Sequence, residues 1–333
     1  MAEGYNSVPE VNYDRSRRKL IDEYKRAYKD VLAAVVELST IGETDDIYQR
    51  QASTLRQIEV ILANLDETQK AWCQAEIQAA FVNGQAAALV SAGMATTLAE
   101  ATQGVSFSQI AQETVDALIT DTYDDLLSAT QHTEKRLKQV VRQEVGNIIR
   151  QRAIQRYGRN TMRNDIVKSL TKKGLSERVT EDGFVGIIDK AGRKWDLNRY
   201  ADMVVRTKLS QGHTEGVRVT GIERGVDTAV ISTHNAPDAC GKYEGMIISL
   251  NGLTPGLLTY EELRQGNDVF HPNCGHSVLL IRLQYFPQKL KDKHDAKVAA
   301  FRSQKHKKPV PVKDIKIPEK SEVQGLNVEL SLS

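Results

Sequence analysis

Hydrophobic residues recur at three- and four-residue spacing through the first half of the chain and alternate at two-residue spacing only in short later stretches. Leu20, Tyr24, Tyr28, Val31, Val35 and Leu38 form one stripe, which predicts an amphipathic helix over 10–39. Pro9 stands near its first turn, where a missing N–H leaves nothing unpaired. Ile47, Leu55, Ile58 and Leu62 predict a second helix over 45–64. Asp66 and Gln69 resemble a capping box, so a third helix is expected to open there, around Trp72. Ser106 and Gln109 offer another start, ahead of IAQETVDALITDTYDDLLSAT. Between them lies AAFVNGQAAALVSAGMATTLAEA (79–101), interrupted by Asn83, Gly84, Gln85 and Ser91. It falls short of a transmembrane helix, and its small residues suit close helix packing.

The texture changes near residue 183. FVGIIDKAGRKWDL reads as a strand, a Lys-Ala-Gly turn and a return strand. Asp196 then has the position of an N-cap for LNRYADMVVRTKLSQGHTEGVRV, whose stripe is Tyr200, Met203, Val204 and Leu209. DTAVISTH (227–234), GMIISL (245–250) and HSVLLIRL (276–283) read as strands. The pattern predicts an α+β chain: a mostly helical domain at 1–175, a small α+β domain at 176–286 and a flexible, basic, largely disordered tail at 287–333. After Pro287, lysine and proline dominate and large apolar residues thin out, so the core is expected to end there. Helical spacing persists only to about residue 304.

Composition narrows the function. A length of 333 residues suits two or three domains, and 40% hydrophobic with 26% charged residues is ordinary for globular material. A net charge of +2 makes the whole chain no polycation, so any nucleic-acid contact must be local. Such a region exists at 133–174, rich in Lys and Arg and poor in acids. Arg150, Arg152, Arg156 and Arg159, with the tail residues Lys305, Lys307 and Lys308, are the candidate DNA contacts. The plainer alternative is a solvated helix face, balanced by the acidic stretch 111–125. The first residues carry no apolar run of the kind that opens a secretory leader. The 3 cysteines, Cys73, Cys240 and Cys274, are odd in number and far apart, which argues against a disulfide framework and for a reducing compartment.

Soft-donor side chains concentrate in FHPNCGHSV (270–278). His271, Cys274 and His276 sit at i, i+3 and i+5 around Pro272, a spacing that a turn feeding a strand can aim at one point. With Cys240, upstream in THNAPDACGKYEG, they make a Cys2His2 set suited to structural zinc, with His234 and Asp238 as spare candidates. The alternative is a histidine and cysteine hydrogen-bonded in a buried loop–strand junction. Either way the cluster would staple a domain with a thin core. Catalysis has no comparable signature. A HExxH glutamate, the HxE/PCxxC deaminase pattern, a Walker A loop, GxGxxG and GxSxG are all missing from the sequence. Asn273 or Asp268 could orient a Cys–His pair, but no spacing demands it, so no enzyme and no catalytic residue is expected.

The run DKAGRKWDLNRYADMVVRTKLSQGHTEG, then VISTHNAPDACGKYEGMIISLNG, then FHPNCGHSV resembles the phage minor capsid protein 2 family, which is related in layout to Mu-type head-morphogenesis proteins. The matching positions are Asp189, Gly192 and Arg193; Tyr200, Met203, Arg206 and Thr207; Ser232, His234 and Cys240; Gly245; and His271, Pro272, Asn273, Cys274 and His276. Gly275 departs from it, standing where the family usually has arginine. The resemblance implies a structural minor head protein of a tailed phage or prophage that associates with the portal and with capsid or scaffold components. It implies a place in the virion after assembly in the host cytoplasm, nonspecific contact with double-stranded DNA, and a role in head morphogenesis or genome delivery. The competing readings are a phage-encoded enzyme or effector using His271 and Cys274 or a metal, and a zinc-stapled nucleic-acid-binding protein.

Overall fold

A computed structural model describes residues 8, 12–38, 47–105, 107–155, 187–188, 192–266, 269–272, 274–300 and 311–316. Its contacts group the chain into two units made of alternating stretches. One takes Asp14–Gln74 and Asp121–Val205; the other takes Met1–Tyr13, Ala75–Thr120 and Arg206–Ser333. The partition expected from composition, at 175/176 and 286/287, is a different division of the chain, and its first border lies outside the described residues.

The first unit is mostly helical. Helix α1 (Asp14–Leu38) packs along α2 (Ile47–Trp72). Leu20, Tyr24, Val31 and Val35 are buried on one side, Ile58, Leu62 and Leu65 on the other. The break expected at Asp66 does not occur, because α2 continues to Trp72. No glycine or proline interrupts the segment, and Ile58, Leu62, Leu65, Gln69 and Trp72 carry the buried stripe straight through. Gln69 turns inward, accepting from the Tyr24 hydroxyl at 2.5 Å and donating to Asp66 Oδ1 at 2.6 Å. The Trp72 indole donates to the Ser16 carbonyl at 3.0 Å, closing the pair at its other end. A wide π turn (Cys73–Ile77) follows and leads into α3 (Gln78–Ser91).

Helix α4 (Leu98–Gln103) precedes α5 (Gln109–Gln155), which contributes to both units. Its start is set by Ser108, whose hydroxyl accepts from the Ala111 N–H at 3.1 Å, and Ser106 lies outside the described residues. The expected hairpin forms, with β1 (Ile187–Ile188) antiparallel to β2 (Lys194–Trp195) and Gly192 at φ +77° in the return. Asp196 caps α6 (Leu197–Arg224), accepting from the Arg199 N–H at 3.0 Å.

The second unit surrounds a three-stranded antiparallel sheet, β3 (Thr228–Ile231), β4 (Ile247–Ser249) and β5 (Val278–Leu280), in the order β4-β3-β5. Val230 faces Ile247 on one side and Leu279 on the other. Asp227, at the entrance to β3, is buried and accepts from Ser249 Oγ at 2.5 Å, Asn251 N–H at 2.8 Å and Thr254 Oγ1 at 2.7 Å. Three donors on one carboxylate tie the β4 loop to the start of β3. Small residues let α3 and α6 meet backbone to backbone. A Cβ on Gly84 would stand 1.9 Å from the His213 carbonyl oxygen, and one on Gly216 would stand 2.1 Å from that of Phe81.

A short helix, α7 (Tyr260–Gln265), opens on a reciprocal capping box between Thr259 and Glu262. The core extends further along the chain than composition indicates. Helix α8 (Gln288–Ala300) follows Pro287, and Leu290 and Ile315 pack on a cluster of Val230, Ile247, Leu257, Ile281, Leu283 and Phe286. His294 is fully buried and its Nδ1 accepts from the Ile247 N–H at 3.0 Å, so a titratable residue covers the β4 edge. Helix α8 falls within the helical spacing that runs to about residue 304, and Leu290 with the buried His294 suffices to hold this lysine-rich helix, while Ile315 anchors the 311–316 stretch. Residues 301–310 and 317–333 lie outside the described residues.

Candidate metal centre

The pairing of β3 with β5 continues past the sheet through Ser232 and Ser277, whose backbone groups bond at 2.9 Å. This brings the 232–244 loop beside the turn at 270–277. Cys240 sits on a 3₁₀ turn (Ala239–Tyr243) whose first N–H groups are met by Asp238: its Oδ1 accepts from Cys240 N–H at 3.1 Å. The loop doubles back tightly, since a Cβ on Gly241 would lie 2.4 Å from the Ala236 carbonyl oxygen. The facing turn closes through Cys274 N–H to the His271 carbonyl at 2.9 Å. Asn235 and Phe270, one on each segment, adopt positive φ of 58° and 63°. Asn tolerates that region; Phe rarely does. Phe270 is held there against the Tyr260 ring, centroids 4.9 Å apart. Left-handed backbone at a bulky residue costs on the order of 1–3 kcal/mol, and here it aims the next residue, His271, back at Cys240.

The donor atoms converge. Cys240 Sγ, Cys274 Sγ and a His276 ring nitrogen lie within 4.8 Å of one another, and so do donors of Asp238, Cys240 and His271. His234, Glu244 and His276 make a third such group. Cys240 Sγ is 2.8 Å from His271 Nε2, and Cys274 Sγ is 3.2 Å from His276 Nδ1. Each imidazole has its other nitrogen engaged: His271 Nδ1 is 3.0 Å from the Pro272 carbonyl oxygen, and His276 Nε2 is 3.3 Å from Glu244 Oε1. Cys240 and His276 are each only 2% exposed.

Charge and proton positions follow from these partners. Burial pushes the Glu244 carboxyl up, but the N–H groups of Ala236 and His234 and the His276 ring outweigh it and hold the group below its ordinary range. Glu244 is then a carboxylate and can only accept, so His276 carries its hydrogen on Nε2 and turns the Nδ1 lone pair to Cys274. A carbonyl also only accepts, so His271 carries its hydrogen on Nδ1 and turns the Nε2 lone pair to Cys240. Burial, then His234, push His276 below its ordinary value, which keeps the ring neutral, with Glu244 opposing. Burial, then Cys274 and Asp238, push the Cys240 thiol up to about 12. A thiol held protonated is the opposite of an activated nucleophile.

All four residues nominated for zinc thus fall in one junction, with Cys240 shared by two of the donor groups. His234 lies at its edge, exposed, its ring 4.2 Å from that of His276 between centroids. Sequence reasoning missed Glu244. Its signal is an acid at the end of the ACGKYE turn that carries Cys240, and its carboxylate takes the N–H groups of His234 at 3.1 Å and Ala236 at 2.9 Å. It also missed that α8 reaches this loop, where Lys297 donates to the Gly241 carbonyl at 2.9 Å and Lys293 to Thr233 Oγ1 at 3.2 Å. Of the DNA candidates, Arg150 and Arg152 fall on α5, where only their helical backbone is described. Arg156, Arg159, Lys305, Lys307 and Lys308 lie outside the described residues. Among the described residues no helix is long and apolar enough to cross a membrane.

A family model described as phage minor capsid protein 2 matches residues 10–299, a span that takes in elements of both units and the whole Cys/His junction. No curated protein and no solved structure matches the chain.

Proposed function

The chain belongs to the phage minor capsid protein 2 family, structural proteins of the phage head, and from that premise we propose that it docks on the portal during head assembly and touches packaged DNA. The observation that carries this reading is the extent of the family match, 10–299, which covers the long amphipathic helices as well as the sheet and its junction. The helices supply a partner surface, and the Lys- and Arg-rich stretch 133–174 supplies countercharge for phosphate. Dense packaged DNA makes a weak, sequence-independent affinity sufficient.

The experiment is co-expression of the full chain with its cognate portal protein, followed by size-exclusion chromatography. The full chain is required, because a cut after residue 175 would separate Phe81 from Gly216 and open the second unit. Co-elution at low and moderate salt is expected, and separate elution of the two proteins at every salt overturns the docking. The same preparation should retain duplex DNA with an affinity that falls steeply with salt. Arg150, Arg152, Arg156 and Arg159 changed together to Gln should flatten the logarithmic salt slope by up to about one per arginine. An unchanged slope would remove this stretch as the DNA surface.

A further inference from the structure

We propose that the Cys/His junction is a structural zinc site: Cys240, Cys274 and His276 through Nδ1 are ligands, His271 through Nε2 is the fourth, and Glu244 is the positioning residue. The contact geometry carries this. Both histidines use one nitrogen as an N–H donor to a fixed acceptor, Pro272 O or Glu244 Oε1, and point the remaining lone pair at a cysteine sulfur. A hydrogen-bonded core junction needs one such pair to satisfy a thiol. Two such pairs meet through Cys240, whose Sγ lies within 4.8 Å of donors of Cys274 and His276 and, in a second group, of His271; together they supply the four donors of a tetrahedral site with their outer hydrogen bonds already in place.

Within each pair the geometry requires little movement. Zinc–sulfur bonds of about 2.3 Å and zinc–nitrogen bonds of about 2.0–2.1 Å set ligand atoms of a tetrahedron roughly 3.3–3.8 Å apart. Cys240 Sγ and His271 Nε2 stand at 2.8 Å, and Cys274 Sγ and His276 Nδ1 at 3.2 Å. Each pair would open by about 1 Å or less to admit the ion. On binding, both thiol protons leave to solvent, two sulfur–zinc bonds form, and the imidazoles give lone pairs with no change of protonation. Two thiolates cancel the dication, so the buried site is neutral, and Glu244 keeps its own hydrogen-bond donors outside the ligand set. Asp238 is committed to the Cys240 N–H and is exposed, which makes it the weaker fourth ligand. The Cys240–His271 connection would be the loop that the ion closes. The zinc reading stands apart from portal docking, since a metal-free chain that still co-eluted with portal would overturn only the metal.

The test uses the full-length chain purified without added metal. Elemental analysis should find about one zinc per chain, as one tetrahedral site requires, and a chelator should lower the melting temperature. Exchange with cobalt should give tetrahedral visible bands and a sulfur-to-cobalt charge-transfer band. Cys274→Ser should lose the metal and His271→Gln should weaken it, while Asp238→Asn should leave both metal content and cobalt spectrum unchanged. Glu244→Gln should keep one zinc but lower affinity by about 10–100-fold in chelator competition. A merely structural Glu244 would lower the melting temperature and leave that affinity untouched. A parent chain that lacks zinc, gives no tetrahedral cobalt spectrum and melts identically with and without chelator overturns the proposal, whatever the variants do.

Discussion

In the unit built from 14–74 and 121–205, the buried positions are long side chains spaced by helical turns: Leu20, Tyr24 and Val31 against Ile58, Leu62 and Leu65. In the sheet-containing unit, the tightest contacts are between backbones. Gly84 and Gly216 let α3 and α6 meet with no side chain between them, and the loops beyond the sheet are tied by Asp227 and by the Cys/His junction. A side-chain interface can relax around a lost methyl group. A backbone interface has nothing to relax, because its atoms are already in contact. The same difference governs function: a junction of polar groups needs fixed loops, and fixed loops need a scaffold that does not give.

The comparison breaks most sharply at Gly216. Adding one methyl, Gly216→Ala, places a Cβ 2.1 Å from the Phe81 carbonyl oxygen and 2.9 Å from the Gln85 nitrogen. We expect a loss of about 3 kcal/mol or more and failure of cooperative unfolding in that unit. Helix propensity alone would give the opposite sign, since alanine favours a helix over glycine by about 1 kcal/mol. Leu62→Ala, which removes most of a buried side chain in the helical unit, should cost about 2–5 kcal/mol and keep a cooperative transition. Thermal melting of the two variants decides it. A Gly216→Ala chain that melts at or above the parent removes the backbone contact.

This contrast also explains what could be read from sequence. Side-chain stripes are periodic, so α1, α2 and α6 and the three strands could be anticipated from spacing. So could the β1–β2 hairpin and the Asp196 cap, because turn and cap residues act locally. Asp66 misled because a D-x-x-Q spacing has capping geometry only where the chain also leaves the helix, and nothing at 62–65 makes it leave. Helix α8 was underrated because its anchoring depends on Leu290 and Ile315 finding a surface made of Val230, Ile247 and Phe286, which no local pattern encodes. At the junction, the donors were visible as residue types. Their acceptors were not: Pro272 offers a carbonyl that every residue has, and Glu244 looks like any surface acid until the loop folds back.

A middle-sized effect sharpens the comparison through pH. His213 lies at the α3–α6 contact, its Nδ1 2.9 Å from the Tyr13 hydroxyl, and burial lowers it from 6.5 to about 4. Unfolded chains take up that proton below about pH 6.5, while the folded chain refuses it until about pH 4. The stability is therefore complete above pH 6.5 and is lost as pH falls toward 4, by about 3 kcal/mol. Melting temperature followed from pH 7 to 4 should fall in the parent and fall less in His213→Gln. Parallel profiles would show that this histidine is not what couples the packed helices to pH.

The smallest effects should have opposite signs in the two units. Thr259 caps α7 through the Glu262 N–H at 3.1 Å, and the Glu262 carboxylate returns to the Thr259 N–H at 3.0 Å. Thr259→Ala should cost about 1 kcal/mol. Asp66, with similar spacing to Gln69, caps nothing. Burial, then Glu134 and Glu67, raise its carboxyl from 3.8 to about 6. A folded-state value above the unfolded one means that the contribution is full below pH 3.8 and is lost as pH rises through about 6, so at neutral pH the ionised group opposes folding. Asp66 is only half-buried and solvent screens much of that cost, which leaves well under about 1 kcal/mol to recover. Asp66→Asn should raise the melting temperature slightly at pH 7, while its amide oxygen still accepts from Gln69. The gain should shrink as pH approaches 4, where the parent carboxyl is itself neutral. A fall at pH 7 as large as that of Thr259→Ala would mean that Asp66 stabilises a helix start after all, and the continuous α2 would have to be redrawn.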